Sequence, residues 1–148
     1  MRNNVDVNAE DYLISHGVKP SVQRLAIMNY LFSHKTHPTA DEIYMSLHSE
    51  IVTLSKTTVY NTLKLLAEKG AILALGVDDK NMRFDGDISA HAHFFCTKCG
   101  KVYDFGFEIM AKINSLASVS AEGYRIDDSQ LNCKGICSEC TRLEAESE

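Results

Sequence analysis

No stretch of this 148-residue chain approaches the length of a membrane span, and proline occurs only twice. Without a long apolar run there is no transmembrane helix to predict, and Met1-Arg-Asn-Asn-Val-Asp6 carries no apolar export segment. The expected location is the cytoplasm, with no membrane partner. Few prolines and a hydrophobic content of 45% leave room for one full-sized core or two small ones. A positive charge balance is also lacking: the net charge is -5, which at first argues against nucleic acid. The charge is uneven, however. Residues 1–77 hold seven Lys/Arg against seven Asp/Glu, and residues 78–148 hold eight against thirteen. All the acidity lies in the second half, so a DNA-binding first half is not excluded.

Cysteine is the residue the chain uses with a pattern. Cys96-Thr-Lys-Cys99-Gly100 and Cys137-Ser-Glu-Cys140 are two C-x-x-C pairs. Two intervening residues let both sulfurs of a pair reach one tetrahedral Zn²⁺, and Gly100 permits the backbone turn that closes the first knuckle. Disulfides or a redox dithiol would use the same residues, but two such pairs in a small chain without an export signal point to metal. A four-thiolate zinc is coordinatively saturated, so it bears on folding rather than on activity. Cys133 is left over and reads as a spare reduced thiol.

Up to Gly70 the chain reads as helices. One runs from Ala9 to His16 and stops at Gly17. A second is capped by Ser21, with Val22, Leu25, Met28 and Leu31 or Phe32 on its inner face. Thr39-Ala-Asp-Glu42 is a capping box that opens a third helix, with Ile43, Tyr44 and Leu47 inward. Ser55 to Gly70 forms a fourth, whose apolar stripe is Val59, Leu63, Leu66 and Ala67. Its opposite face shows Lys56, Thr57, Tyr60, Asn61 and Lys64, with no acid before Glu68. Such a polar face is often merely solvated, but hydroxyls, an amide, a phenol and lysines also suit phosphates and base edges. Residues 72–77 and 82–85 flank the polar turn Asp78-Asp-Lys-Asn81 as a β-hairpin. Helices followed by a hairpin describe a winged helix, in which the fourth helix enters the major groove and the hairpin touches the backbone. A hinge is expected over 86–90. Beyond it, His91 to Cys96, Lys101 to Phe105 and Tyr124 to Asn132 read as strands and Glu108 to Ser118 as a helix. The fold class is therefore α+β: a winged-helix domain over 1–85 and a small zinc-bearing domain over 91–148. An open face on the three-stranded sheet invites a second copy, so a homodimer is expected.

A second set of ligands surrounds the hinge. The period of two puts His91 and His93 on one face of their strand, and Asp104 on the next strand can join them. Asp85 ends the hairpin, and His37 lies in the loop His34-Lys-Thr-His-Pro38. Three imidazoles and two carboxylates suit Fe²⁺, Mn²⁺ or Zn²⁺, with five or six coordination more natural for the first two. Ligands drawn from both modules can clamp one against the other. A metallohydrolase could use a His/Asp site with an open water, but no H-E-x-x-H occurs and five protein ligands leave little room for substrate.

The run Leu54-Ser-Lys-Thr-Thr-Val-Tyr-Asn-Thr-Leu-Lys-Leu-Leu66, then Phe84-Asp85, then His91-x-His93-x-x-Cys96-x-x-Cys99-Gly100-x-Val102-x-Asp104-Phe105, and finally Gly135-x-Cys137-x-x-Cys140 resembles the ferric uptake regulator superfamily. The resemblance covers about Ser21 to Cys140. It implies a homodimeric, metal-activated transcription repressor on palindromic double-stranded operator DNA, and not an enzyme. Asp104 and Asn61 resemble the peroxide-sensing branch, where iron-uptake regulators usually show a glutamate and an arginine. Carried over, His37, Asp85, His91, His93 and Asp104 would hold the regulatory Fe²⁺ or Mn²⁺, and Cys96, Cys99, Cys137 and Cys140 the structural Zn²⁺. Tyr60 and Asn61 would lie near bases, and His37 and His91 would be the residues oxidised by peroxide. An additional metal site of many iron regulators would fall on Ala90, Ala92 and Ser129, which cannot supply its ligands. An iron-uptake or a zinc-uptake repressor in the same fold is the rival implied by the same resemblance.

Overall fold

The computed structural model describes residues 8–76, 78, 80–89, 92–106, 108, 112, 123–124 and 130–147. They fall into two compact units, Met1–Ile88 and Ser89–Glu148.

In the first unit each helix starts where a side chain can satisfy its free amides. Asn8 caps α1 (Ala9–Ser15) by accepting from the amides of Glu10 and Asp11, and Gly17 follows its end at φ 75°. Ser21 caps α2 (Val22–Ser33), and Ser55 caps α4 (Lys56–Glu68). The capping box of α3 (Ala40–Leu47) is formed in both directions: the Glu42 amide donates to Thr39 Oγ1 and the Thr39 amide to Glu42 Oε2, each at 3.2 Å. These helices bury one core that includes Leu13, Ile27, Met28, Leu31, Ile43, Val59, Leu63 and Leu66. The inner face of α2 departs from expectation. Val22 is 74% exposed and Ile27 is fully buried, because the buried positions of α2 are Ile27, Met28 and Leu31 rather than a stripe beginning at its first turn.

Strands β1 (Leu73–Leu75) and β2 (Arg83–Asp85) form the antiparallel wing, with Leu73 opposite Asp85 and Leu75 opposite Arg83. The loop before α3 lies along the other edge of β2: Thr39 bridges to Arg83, and the Phe84 amide donates to the Pro38 carbonyl at 3.0 Å. The wing therefore carries the loop of His37 as a third, irregular edge. Just beyond β2, Gly86 sits so close to α2 that a Cβ there would lie 3.2 Å from the Leu31 carbonyl oxygen and 3.3 Å from Leu31 Cβ. Gly86→Ala should accordingly destabilise the first unit by about 1–3 kcal/mol, read as a lowered melting temperature. An unchanged melting temperature would show that the contact opens without cost.

The second unit is built on a three-stranded sheet in the order β4-β3-β5. Strand β3 (Ala92–Cys96) pairs antiparallel with β4 (Val102–Phe105) and parallel with β5 (Asn132–Gly135). The expected third strand, Tyr124 to Asn132, lies largely outside the described residues. The strand seen begins where that one was expected to end. Helix α5 (Ser138–Glu146) follows the second cysteine knuckle and was not anticipated. The expected helix from Glu108 to Ser118 falls mostly outside the described residues. Among those described, the buried cluster of this unit is Cys96, Cys137 and Cys140, with Phe94 and Tyr103 packed against it.

Candidate metal centres and nucleic-acid interface

The two knuckles bring four sulfurs together at the end of the β3 sheet. Cys96 Sγ lies 3.8 Å from Cys140 Sγ, and Cys99 Sγ lies 3.9 Å from Cys137 Sγ. The edge of a ZnS₄ tetrahedron with bonds of ~2.3 Å is ~3.8 Å, so the cluster has the dimensions of a closed zinc site. Its electrostatics ask for a cation. Amides of Cys99 and Cys137 donate to Cys96 Sγ at 3.4 Å, and these backbone donors bring that thiol down to about 6. The Cys137 thiol is also lowered, by the Cys140 amide and then by the Tyr103 hydroxyl, which donates to its sulfur at 3.6 Å. Cys140, held against Cys137 and Cys96, is pushed up to about 12 and keeps its proton. Four thiols this close cannot all ionise unless a positive charge sits among them. The four-cysteine set read from the sequence is thus assembled, and Cys133, half-buried on β5, stands outside it.

The histidines and aspartates expected as ligands form one pair in each unit. In the first, His37 Nε2 is 3.2 Å from Asp85 Oδ2, and both side chains are buried. Asp85 is fixed by accepting the Asp87 amide at 2.9 Å. His37 has φ 56°, the sole non-glycine residue in the left-handed region among those described. That conformation costs about 1–2 kcal/mol, and it is held here in the loop of a candidate ligand. In the second unit His93 and Asp104 face each other across the β3–β4 ladder, with His93 Nε2 3.5 Å from Asp104 Oδ1. Each pair offers one borderline nitrogen and one hard oxygen, the donor types that suit Fe²⁺ and Mn²⁺. His91, the fifth expected ligand, lies outside the described residues.

The outer face of α4 is as the sequence indicates: Lys56, Thr57, Tyr60, Asn61 and Lys64 are all exposed. Two of them are oriented. The Tyr60 hydroxyl donates to Asp41 at 3.4 Å, and the Lys56 ammonium lies 5.7 Å from the centre of the Tyr44 ring. An open groove of about 440 Å³ between α4 and the start of α2 adds Lys19, Gln23 and Arg24 to the same surface as Thr58 and Asn61. Lys19, Gln23 and Arg24 were not among the residues expected at the DNA. Their signal was the basic, capped Lys19-Pro20-Ser21 entry to α2.

The sequence profile of the ferric uptake regulator family matches residues 15–134. The chain belongs to this family. Relatives of this ferric uptake regulator member include the peroxide operon regulator of Bacillus subtilis, 37% identical over 128 residues and spanning 86% of this chain and 88% of that protein. The peroxide-responsive repressor PerR of Staphylococcus epidermidis is 36% identical over 124 residues, 84% of this chain and 82% of that one. Among solved structures, the Campylobacter jejuni peroxide stress regulator superposes with a TM-score of 0.67 at 26% identity, covering 88% of this chain and 95% of that chain. No helix among the described residues of this family member is long and apolar enough to cross a membrane.

Proposed function

We propose that this chain is a cytoplasmic, homodimeric transcriptional repressor and not an enzyme, which binds palindromic operator DNA when metal-loaded and releases it on meeting hydrogen peroxide. The observation that carries the reading is the pair of His/Asp half-sites, His37–Asp85 and His93–Asp104, one in each unit. Neither pair alone fills the five or six positions that Fe²⁺ or Mn²⁺ takes. Both pairs with His91 would, so one ion can hold residues 1–85 and 91–148 in a single arrangement about the hinge at 86–90. Relatives named for their response to peroxide, and Asp104 in place of the glutamate usual in iron-uptake regulators, favour this branch of the family over iron or zinc uptake.

The chain's own residues divide the work. Cys96, Cys99, Cys137 and Cys140 hold a structural zinc that ties the two knuckles of the second unit together. His37 links the metal to the winged helix, so binding selects the arrangement in which paired α4 helices reach half-sites a helical turn or a multiple apart. When bound, Fe²⁺ would supply the one-electron chemistry that opens the O–O bond of peroxide. Overall the imidazole of His37 or His91 would give up two electrons and take one oxygen atom from peroxide, the other oxygen leaving as water. An oxidised ring is a poor ligand, the clamp opens, and DNA is released.

Operator binding with Mn²⁺ and with Fe²⁺, before and after peroxide, tests the reading: both metals should support binding and only the iron form should lose it. Metal-independent binding, or equal loss with both metals, would overturn it. On the DNA side, Tyr60→Ala should cost about 1–3 kcal/mol at the operator and little on non-specific duplex, as expected of a base-edge or thymine-methyl contact. Equal losses on both duplexes, in a gel-shift titration at fixed salt, would place Tyr60 in phosphate contact or packing instead.

A further inference from the structure

The strained loop that presents His37 is tied to the turn of the wing through one side chain. Arg83 lies on β2 with its side chain 14% exposed, and its guanidinium bonds in two directions. Nε donates to Asp78 Oδ2 at 3.1 Å, in the turn between the wing strands. Nη1 donates to the backbone carbonyl of His37 at 3.2 Å. Asp78 is itself fixed, its other oxygen accepting the Lys80 amide at 3.0 Å, and its side chain is 8% exposed. The planar guanidinium fork makes these two bonds from one rigid group, which a lysine ammonium could not reproduce in the same geometry. Meanwhile the backbone of β2 pairs with Pro38 and Thr39, on the far side of His37 from the helix-end residue His34. A change in the wing turn must therefore move Arg83, and Arg83 holds the carbonyl of a residue whose left-handed φ needs holding.

We propose that Arg83 is a positioning residue that couples the wing turn at Asp78 to the metal ligand His37, so that DNA against the wing and metal at His37 strengthen each other's binding. The proposal rests on the regulatory-metal reading above. Coupling of this kind is reciprocal: whatever factor the DNA adds to metal affinity, the metal adds to DNA affinity. Asp78 is not a ligand of either metal centre and is not on α4, so altering it reaches His37 through Arg83 rather than by removing a metal ligand.

Asp78→Asn is the informative variant, because an amide oxygen can still accept the Lys80 amide while its NH₂ cannot accept from Arg83. In the full-length zinc-loaded protein, Mn²⁺ affinity would be measured by titration without DNA and with a duplex selected from random-sequence DNA by the Mn²⁺-loaded wild type. The wild type should bind Mn²⁺ about fivefold or more tighter with the duplex, within the usual range of allosteric coupling. Asp78→Asn should bind Mn²⁺ several-fold more weakly without DNA, and the gain from the duplex should fall towards one. Asp78→Glu, which restores the carboxylate, should recover most of both. In the zinc-loaded protein without Mn²⁺, hydrogen exchange at the Phe84 amide should quicken in Asp78→Asn, a local signal that a change in global stability alone would not confine to this loop. If Asp78→Asn and Arg83→Lys keep wild-type Mn²⁺ affinity and coupling while His37→Ala loses Mn²⁺, the coupling is wrong and the metal site stands. If His37→Ala also binds Mn²⁺ like the wild type, the metal-site reading itself fails, and this proposal with it.

Discussion

Cys96→Ser is expected to strip tightly held zinc from the chain and to unfold the second unit, abolishing the dimer. Around the four sulfurs the described residues offer only Phe94 and Tyr103 as further packing. A cluster with so little apolar packing around it among the described residues depends on its metal, and structural zinc contributes on the order of 10 kcal/mol at neutral pH. Serine leaves the size of the side chain nearly unchanged, so the loss reports coordination rather than packing. Cys99, Cys137 and Cys140 should behave alike. Cys133→Ser should not, because that thiol lies outside the cluster. The measurement is zinc content after gel filtration, with circular dichroism and sedimentation for fold and assembly. A Cys96→Ser protein that keeps one zinc per chain and remains a folded dimer would refute the structural role.

The second large effect concerns the other metal centre. His37→Ala should lose metal-dependent DNA binding outright. Disturbing the partners of a ligand alone costs 10–100-fold in metal affinity, so removing the ligand should cost at least on the order of 100-fold. Alanine also tolerates the left-handed backbone at this position poorly, and His37→Asn is therefore the better control, since asparagine adopts it more readily. Both should fail in the same way. Asp104→Glu should separate metal binding from peroxide sensing. The added methylene lets the carboxylate reach further from β4 toward His93, where it would compete with peroxide for a metal held there. Repression with Fe²⁺ or Mn²⁺ should persist, while inactivation by peroxide slows about tenfold or more, equivalent to ~1.4 kcal/mol. Unchanged peroxide sensitivity in Asp104→Glu, measured as the rate of operator release, would remove the carboxylate from the sensing step.

The parts of the chain that announce themselves are those whose signal is local. Ser21, Thr39 with Glu42, and Ser55 mark helix starts by chemistry that needs no partner beyond the next turn, and each does cap its helix. The C-x-x-C spacing behaves the same way, because a knuckle is closed by its own two residues. What stayed hidden depends on distant segments. Asn132-Cys-Lys-Gly135 has no alternating pattern, and it becomes a strand because β3 offers it a parallel edge, pairing His93 with Asn132. Helix α5 is mostly polar and owes its position to the Cys137 and Cys140 cluster and to the Lys98–Glu144 ion pair at 2.7 Å. Val22 was placed inward by periodicity, yet it is 74% exposed while Ile27 is fully buried. Similarly, His37 is recognisable as a potential ligand in the sequence, whereas its left-handed backbone and the Arg83 bond to its carbonyl are tertiary facts.

Histidine oxidation is the step on which the proposed function turns, and peptide mass spectrometry reads it directly. The zinc-loaded protein would be charged with Fe²⁺ or with Mn²⁺, exposed to a small excess of hydrogen peroxide, and followed in parallel for operator release. The iron form should gain one oxygen atom on a peptide containing His37 or His91 at the rate at which DNA is released, and the manganese form should keep both histidines intact and stay bound. Release of DNA with both histidines unmodified, accompanied by oxidation of Cys96, Cys99, Cys137 or Cys140 and loss of zinc, would contradict the account and make the thiols the sensor.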